Sequence, residues 1–461
     1  MSVAMSVPAK WFGLVIAAVI AAIGFGLGLW QKVPVQQVIF YTAATFALVI
    51  WVWNNYFAQP LELARARADS DTRSGEGKAG RTSLRSFAAN NRGLLIGLAI
   101  LLGGFLIAWA SSDRFFSGWS VISLLVLAAL LVFATKVSRQ FVDNRSAFIG
   151  LTVLIGLFAI GSFYIDGFFS TTNIKSMLVF ASFLGLACVG QTIVAMLGGL
   201  DLSIPFVIGS SNVALLYLIG LGVPSWIAVI IMLILGILIG LLNGFLTFRL
   251  QGQALILTLG VGFAISGFTQ IITSIGTAFA GNVFGTVPNW LKNLAAMNGV
   301  TFGLTVPPVI FIWLIVAIIL IVGMKTTVYG RYLYALGGNR TSAKRIPIIE
   351  RRYWWGAFMI SGFFSTLTGS LLLGWSGGGF IGVGQPYLFM TLAAVVIGGT
   401  SLLGGFGGYG FTVIGVLVLQ VLTSFLVGIG LKFEWQQFIF GLLIVPMVAL
   451  YARSPHIRTQ I

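Results

Sequence analysis

Residues 391–415 read T-L-A-A-V-V-I-G-G-T-S-L-L-G-G-F-G-G-Y-G-F-T-V-I-G. Seven glycines fall between Gly398 and Gly410, in a stretch otherwise apolar enough to lie in a bilayer. A lipid-facing helix gains nothing from so much glycine. Irregular backbone is tolerated at membrane depth only where protein buries it or a cavity solvates it. The stretch therefore points to a conduit and not merely an anchored protein. It is expected to close a span, with Gly398, Gly399, Thr400 and Ser401 serving close helix packing and a structural hinge.

The rest of the chain agrees with a membrane setting. Of 461 residues, 58% are hydrophobic and 8% charged, with a mean hydropathy of +1.03. Apolar runs of this length read as an all-α, polytopic membrane protein. A single cysteine, Cys188, excludes a disulfide framework. A single histidine, His456, leaves metal catalysis and a Ser/His/Asp triad without support. No cofactor and no metal are expected.

Fourteen apolar segments are drawn, centred on 11–30, 37–57, 93–110, 118–135, 147–165, 178–197, 205–221, 226–248, 254–275, 307–324, 355–374, 388–403, 410–428 and 437–452. With a cytoplasmic N-terminus, the outer side carries only Lys32, Arg114, Lys175, Lys292 and Lys432, and the other 21 of the 26 Lys and Arg lie inside. The positive-inside rule then puts both termini in the cytoplasm. The same asymmetry explains the basic net charge without a nucleic-acid partner. Residues 11–57 read as a retained hairpin, because the first segment lacks a small-residue cleavage site. Polar breaks at 60–92 and 136–146 set off residues 1–142, an extension with four spans, from a ten-span core at 143–461.

Within the core, V-G-Q-T-I-V-A-M-L-G-G-L-D-L-S (189–203) places Gln191 in an apolar run and Asp201 near a membrane edge. An intramembrane carboxylate invites a functional reading. A cap or brace shared with Ser203 on the cytoplasmic surface is the simpler one for Asp201. Asn212 with Ser210 and Ser211, Asn243 beside Gly244, and Thr258, Ser266, Thr269 and Gln270 are further polar groups inside spans. Each alone suits helix packing or a backbone bond. Together with Gln191 they offer the uncharged hydrogen-bonding surface of a path for a neutral polyol. Residues 288–294 suggest a short interfacial helix anchored by Trp290.

The longest inside loop of the core is K-T-T-V-Y-G-R-Y-L-Y-A-L-G-G-N-R-T-S-A-K-R-I-P-I-I-E-R-R-Y (325–353). Gly338 and Asn339 break it, Asn339 or Thr341 can cap a helix, and Pro347 stops one. About two turns of cationic helix are expected between them, with Arg340 and Lys344 on one face and Arg345 beside them. Surplus positive-inside charge accounts for the cations but not for that punctuation, so a docking element is the better reading.

Three stretches, G-R-Y-L-Y-A-L-G-G-N-R (330–340), A-A-V-V-I-G-G-T-S-L-L-G-G-F-G (393–407) and residues 189–203, resemble in order and spacing the ribose/xylose/arabinose/galactoside-type permeases of ATP-binding cassette importers. Q-A-L-I-L-T-L-G (253–260) fits the same pattern. The resemblance covers about 147–461. It implies a ten-helix type II importer core in the bacterial inner membrane, working as a homodimer or paired permease with a cytoplasmic ABC ATPase and a periplasmic sugar-binding protein. ATP would be bound by the ATPase, and this chain has no G-x-x-x-x-G-K-[ST] loop. Residues 330–352 would face that ATPase. The chain departs from the pattern at Ile204-Pro205-Phe206, at Lys344–Pro347 and at Met390-Thr391-Leu392.

Competing readings meet specific obstacles. A secondary transporter needs coupling carboxylates near the midplane, and the core offers only Asp166 and Asp201, both read as peripheral. A channel lacks a filter signature, and an enzyme lacks a cluster of nucleophile, base and ligands.

Overall fold

The computed structural model describes residues 145–250, 254–275, 281–301, 303–339, 343 and 348–451. The four spans expected before residue 142 and the loop expected at 60–92 lie outside them. By spatial clustering the chain forms two units, 1–166 and 167–461. In the first, α1 (Arg145–Tyr164) is the described helix. All else below concerns the second.

That unit is built of helices: α2 (Thr171–Met196), α3 (Ile204–Gly220), α4 (Ser225–Leu250), α5 (Ala254–Ser274), α6 (Asn289–Ala295), α7 (Pro308–Thr326), α8 (Val328–Gly338), α9 (Glu350–Ser376), α10 (Tyr387–Gly398), α11 (Tyr409–Gly428) and α12 (Phe433–Tyr451). Each of the ten apolar segments expected after residue 143 coincides with a helix. Among the described residues, seven helices are long and apolar enough to cross a membrane. Helix α2 is buried along most of its length, whereas α4, α5 and α7 turn rows of Leu, Ile and Phe outward. In a bilayer such exposed rows meet lipid or another chain. The core is thus organised around α2, clad by α9, α10 and α11.

Two expected spans are discontinuous. Helix α10 has only 12 residues, about 18 Å at 1.5 Å per residue. Ahead of it lie a short strand β2 (Gly379–Phe380), paired antiparallel with β1 (Asn282–Val283), and a 3-10 turn (Ile381–Gly384). The expected spans 355–374 and 388–403 do not include this stretch. It instead runs alongside α3. The Phe380 N–H donates to Asn212 Oδ1 at 2.8 Å, Gly379 abuts the Val213 backbone, and Gly384 lies against Pro205 and Gly209. Gly377-Gly378-Gly379, Gly382, Gly384 and Pro386 allow the turn and the close approach.

Helix α3 is the other discontinuous span. Its start is not at the end of the bundle, because Asp201 just ahead of it bonds Ser361, the twelfth residue of the 27-residue α9. After α2 ends at Met196 the chain turns back inward through Leu197–Ser203 before α3 begins. Both α3 and α10 therefore start inside the bundle. The turn at Gly384 that leads into α10 sits against Pro205 in the first turn of α3.

Candidate functional site

Asp201 is the centre of a buried polar lattice. Its Oδ1 accepts from the Ser203 N–H at 3.0 Å and the Ser203 hydroxyl at 2.6 Å, and its Oδ2 accepts from the Ser361 hydroxyl at 2.6 Å. Ser203 Oγ in turn accepts from Asn243 Nδ2 at 2.8 Å. Asn243 O takes the Thr247 hydroxyl at 2.7 Å, and Thr247 Oγ1 takes the Trp354 indole N–H at 2.8 Å. Re-entrant turn, α3, α4 and α9 are joined by these bonds.

The expectation of Asp201 on the surface is corrected: it is 2% exposed. Gly190, packed directly on Ser361, lies six residues before the end of α2, which puts this level about 9 Å inside that helix end. The brace with Ser203 is present, while the α3 cap residue, Ser203, makes no side-chain cap bond. A carboxylate at such depth survives because three donors and a helix amino-terminus surround it.

The five expected path residues divide. Asn212 is bonded at both ends of its amide, donating to the Gly369 carbonyl at 3.2 Å and accepting from Phe380. Thr258 is a brace for the re-entrant turn, accepting the Leu202 N–H at 2.9 Å and donating to Ala254 O at 2.8 Å. Gln270 is half-buried and reaches only Ser266 on its own helix, at 3.4 Å. Gln191 and Asn243 differ from these. Gln191 is wholly buried, and neither amide atom has a partner; Asn243 Oδ1 has none either. Ser210, Ser365 and Thr366 add three more buried hydroxyls without partners.

The hinge residues form a compact loop. Helix α10 closes at Gly399 in the left-handed conformation, φ 99°. Thr400, fully buried, accepts the Gly408 N–H at 3.2 Å, and the Ser401 N–H reaches Phe406 O at 3.0 Å. The Gly405 N–H then donates to Met196 O, the last residue of α2, at 3.0 Å. Gly337 near the end of α8 packs on that same carbonyl and on Gly405, and Gly338 packs on Gly405 as well. Tyr334 donates its hydroxyl to Gly407 O at 2.7 Å, and burial pushes its phenol pKa up. The three stretches singled out in the sequence thus meet at one end of the bundle.

Asn339 is exposed, and its carbonyl accepts the Ala343 N–H at 2.9 Å, one helical turn on. Arg340, Lys344 and Arg345 lie outside the described residues. On the opposite side of the bundle, the short helix expected at 288–294 is present as α6, with the Trp290 indole donating to Ser225 Oγ at 2.9 Å.

Comparison with known proteins completes the picture. A family described as branched-chain amino acid transport system / permease component matches residues 173–448. The chain belongs to this family. The permease is 30% identical to the fructose import permease protein FruG of Bifidobacterium longum over 321 residues, 68% of this chain and 92% of that one. It is 31% identical to the ribose import permease protein RbsC of Haemophilus influenzae over 316 residues, covering 68% and 94%. It is 32% identical to the probable ABC transporter permease protein YphD of Escherichia coli over 311 residues, covering 67% and 91%. No solved structure matches. The permease is a multi-pass transport protein.

Residues that sequence reading missed are Ser361, Trp313 and Tyr409. Tyr409 donates its hydroxyl to Gly185 O at 2.7 Å and accepts the Trp313 indole N–H at 3.0 Å, tying α2, α7 and α11 together. Ser361 sits in an unremarkable I-S-G-F-F run with no local signal. The run G-G-G-F-I-G-V-G-Q-P (377–386) did carry one, glycine and proline punctuation between two apolar segments.

Proposed function

We propose that the permease forms the membrane path of an ATP-binding cassette importer for a monosaccharide or related polyol, worked by alternating access and driven by partner ATPases. The observation that carries this reading is the meeting of Gly337 and Gly338, Gly405 and the Met196 carbonyl. A push on the loop that follows α8 passes through backbone contacts alone to the end of α2, the most buried helix. The buried polar lattice around Asp201 lies about 9 Å further along α2. The relatives' names, ribose and fructose import permeases among them, support a sugar.

On this reading Gly338, Asn339, Arg340, Lys344 and Arg345 dock a cytoplasmic ATPase, which binds the ATP, and the permease itself holds no cofactor. A periplasmic sugar-binding protein delivers substrate at the α6 side. Two permeases pair in the bacterial inner membrane, with both termini cytoplasmic. Gln191 and Asn243 are the path residues, and Asn212 and Thr258 hold the backbone around them. Residues 1–142 are a separate extension of four spans.

The test is charge reversal at Arg340, Lys344 and Arg345 together, to Glu, in the reconstituted importer. Sugar-stimulated ATP hydrolysis is expected to fall to the unstimulated rate while the permease still inserts. Unchanged stimulation refutes the docking role. Sugar uptake without any ATPase that collapses with an ion gradient refutes the importer reading altogether.

A further inference from the structure

Helices α3 and α10 both begin inside the bundle. Their starts are brought together by the 3-10 turn, since Gly384 rests on Pro205 and Gly209. Each helix start carries the positive end of its dipole, which attracts electron-rich groups. Broken helices whose amino-termini meet at depth are a recurrent way to build a solute site in a membrane. Part of that positive potential is spent on Asp201. Among the described residues Asp201 is met by one N–H and two hydroxyls and by no ion pair.

Asn243 points into this place. Its Nδ2 is bonded to Ser203, the cap residue of α3, so its Oδ1 lies at the α3 start, and that oxygen has no partner. Gln191 follows Gly190, whose backbone is packed on Ser361, the residue that bonds Asp201. Both its amide atoms are buried and unpaired. One turn further along α9 from Ser361, the Ser365 hydroxyl is unpaired too. A buried polar atom without a partner is rare in folded proteins, and each of these atoms calls for water or another group to meet it.

We propose that a hydroxyl-bearing neutral solute crosses the core at the start of α3, with Asn243 Oδ1 accepting a hydroxyl proton and the Gln191 amide giving one hydrogen bond and taking another. Asp201, Ser203 and Ser361 act as the fixed frame, with both serine hydroxyl protons committed to the carboxylate. The chemistry selects polyhydroxy compounds over anions, which would face Asp201, and over apolar solutes, which would leave the amides unpaired. This deepens the importer reading and rests on it for the solute class.

The experiment is thiol labelling of the full chain in membrane vesicles. Gln191→Cys, Asn243→Cys and the nearly isosteric Ser365→Cys are made separately, and native Cys188, buried in the apolar core, is the internal control. A small water-soluble thiosulfonate is expected to modify the introduced thiols at least about ten-fold faster than Cys188, because only a hydrated thiolate reacts. A panel of aldopentoses, hexoses and pentitols is expected to slow that reaction, and choline is not. Labelling no faster than Cys188 at all three positions overturns the proposal. Labelling that no member of the panel slows also overturns it, leaving only internal water. The readout needs neither ATPase nor transport, so the importer reading can fail in its own test while this site stands.

Discussion

Replacing Asp201 separates a frame from a charge that works. In Asp201→Asn the amide keeps the shape. Its Oδ1 still accepts from the Ser203 N–H and hydroxyl, and the new NH₂ group faces Ser361, whose hydroxyl turns to accept. Three charge-assisted bonds become neutral ones, while the burial cost of a carboxylate disappears; the net is about 1 kcal/mol of destabilisation or less. In Asp201→Ala two hydroxyls and one N–H lose their acceptor at a site 2% exposed. Each unsatisfied group costs about 1–3 kcal/mol, and serine hydroxyls recover part by turning to their own helix carbonyls, so about 3 kcal/mol is expected. Thermal unfolding in detergent, followed by size-exclusion fluorescence, should show the Ala variant melting several degrees below the Asn variant. Uptake should persist in Asn and vanish in Ala. If the Asn variant folds like the parent yet transports no better than Ala, the charge itself is used and the frame argument fails. That result would favour ion-coupled transport, the rival reading. An Ala variant that melts with the parent sinks the argument from the other side.

Two further predictions concern the contacts between distant segments. Gly337→Ala adds a methyl where Met196 O and the Gly405 N–H already meet; sugar-stimulated hydrolysis should drop by about ten-fold or more, corresponding to about 1.4 kcal/mol of lost coupling, with insertion unchanged, and an unaltered rate would show that this contact transmits nothing. Tyr409→Phe leaves the Trp313 indole N–H buried without an acceptor, so a loss of about 1–3 kcal/mol in thermal stability is expected, and adding Trp313→Phe should cost little more, because the orphaned donor is then gone.

Much of the architecture was legible locally. Transfer into a bilayer is decided residue by residue over about twenty positions, so the ten apolar segments of the core were drawn where helices stand. The short helix at Trp290 and the loop after Gly399 are likewise legible in their own residues. Asp201 was misjudged because the cost of burying a carboxylate depends on its donors. One of them, Ser361, is 160 residues away, and no local pattern announces it. Asn212 and Asn243 look alike in sequence, each an amide in an apolar helix. Only their neighbours distinguish an amide bonded at both its oxygen and its nitrogen from one bonded at its nitrogen alone.

The sequence by itself therefore determined the class of protein, the positions of the helices after residue 143 and the family to which it belongs. These follow from hydropathy, charge asymmetry and short ordered motifs, all of which are properties of contiguous chain. Tertiary structure alone decided that α3 and α10 start inside the bundle and that Asp201 is buried there. It also decided that the glycine loop at 398–408 closes on Met196 and Gly337. The physical reason is that hydrogen-bond saturation and backbone-to-backbone packing are settled between segments that the chain separates by scores or hundreds of residues. The glycines of 398–410 had announced that something must come close; the fold supplied what does.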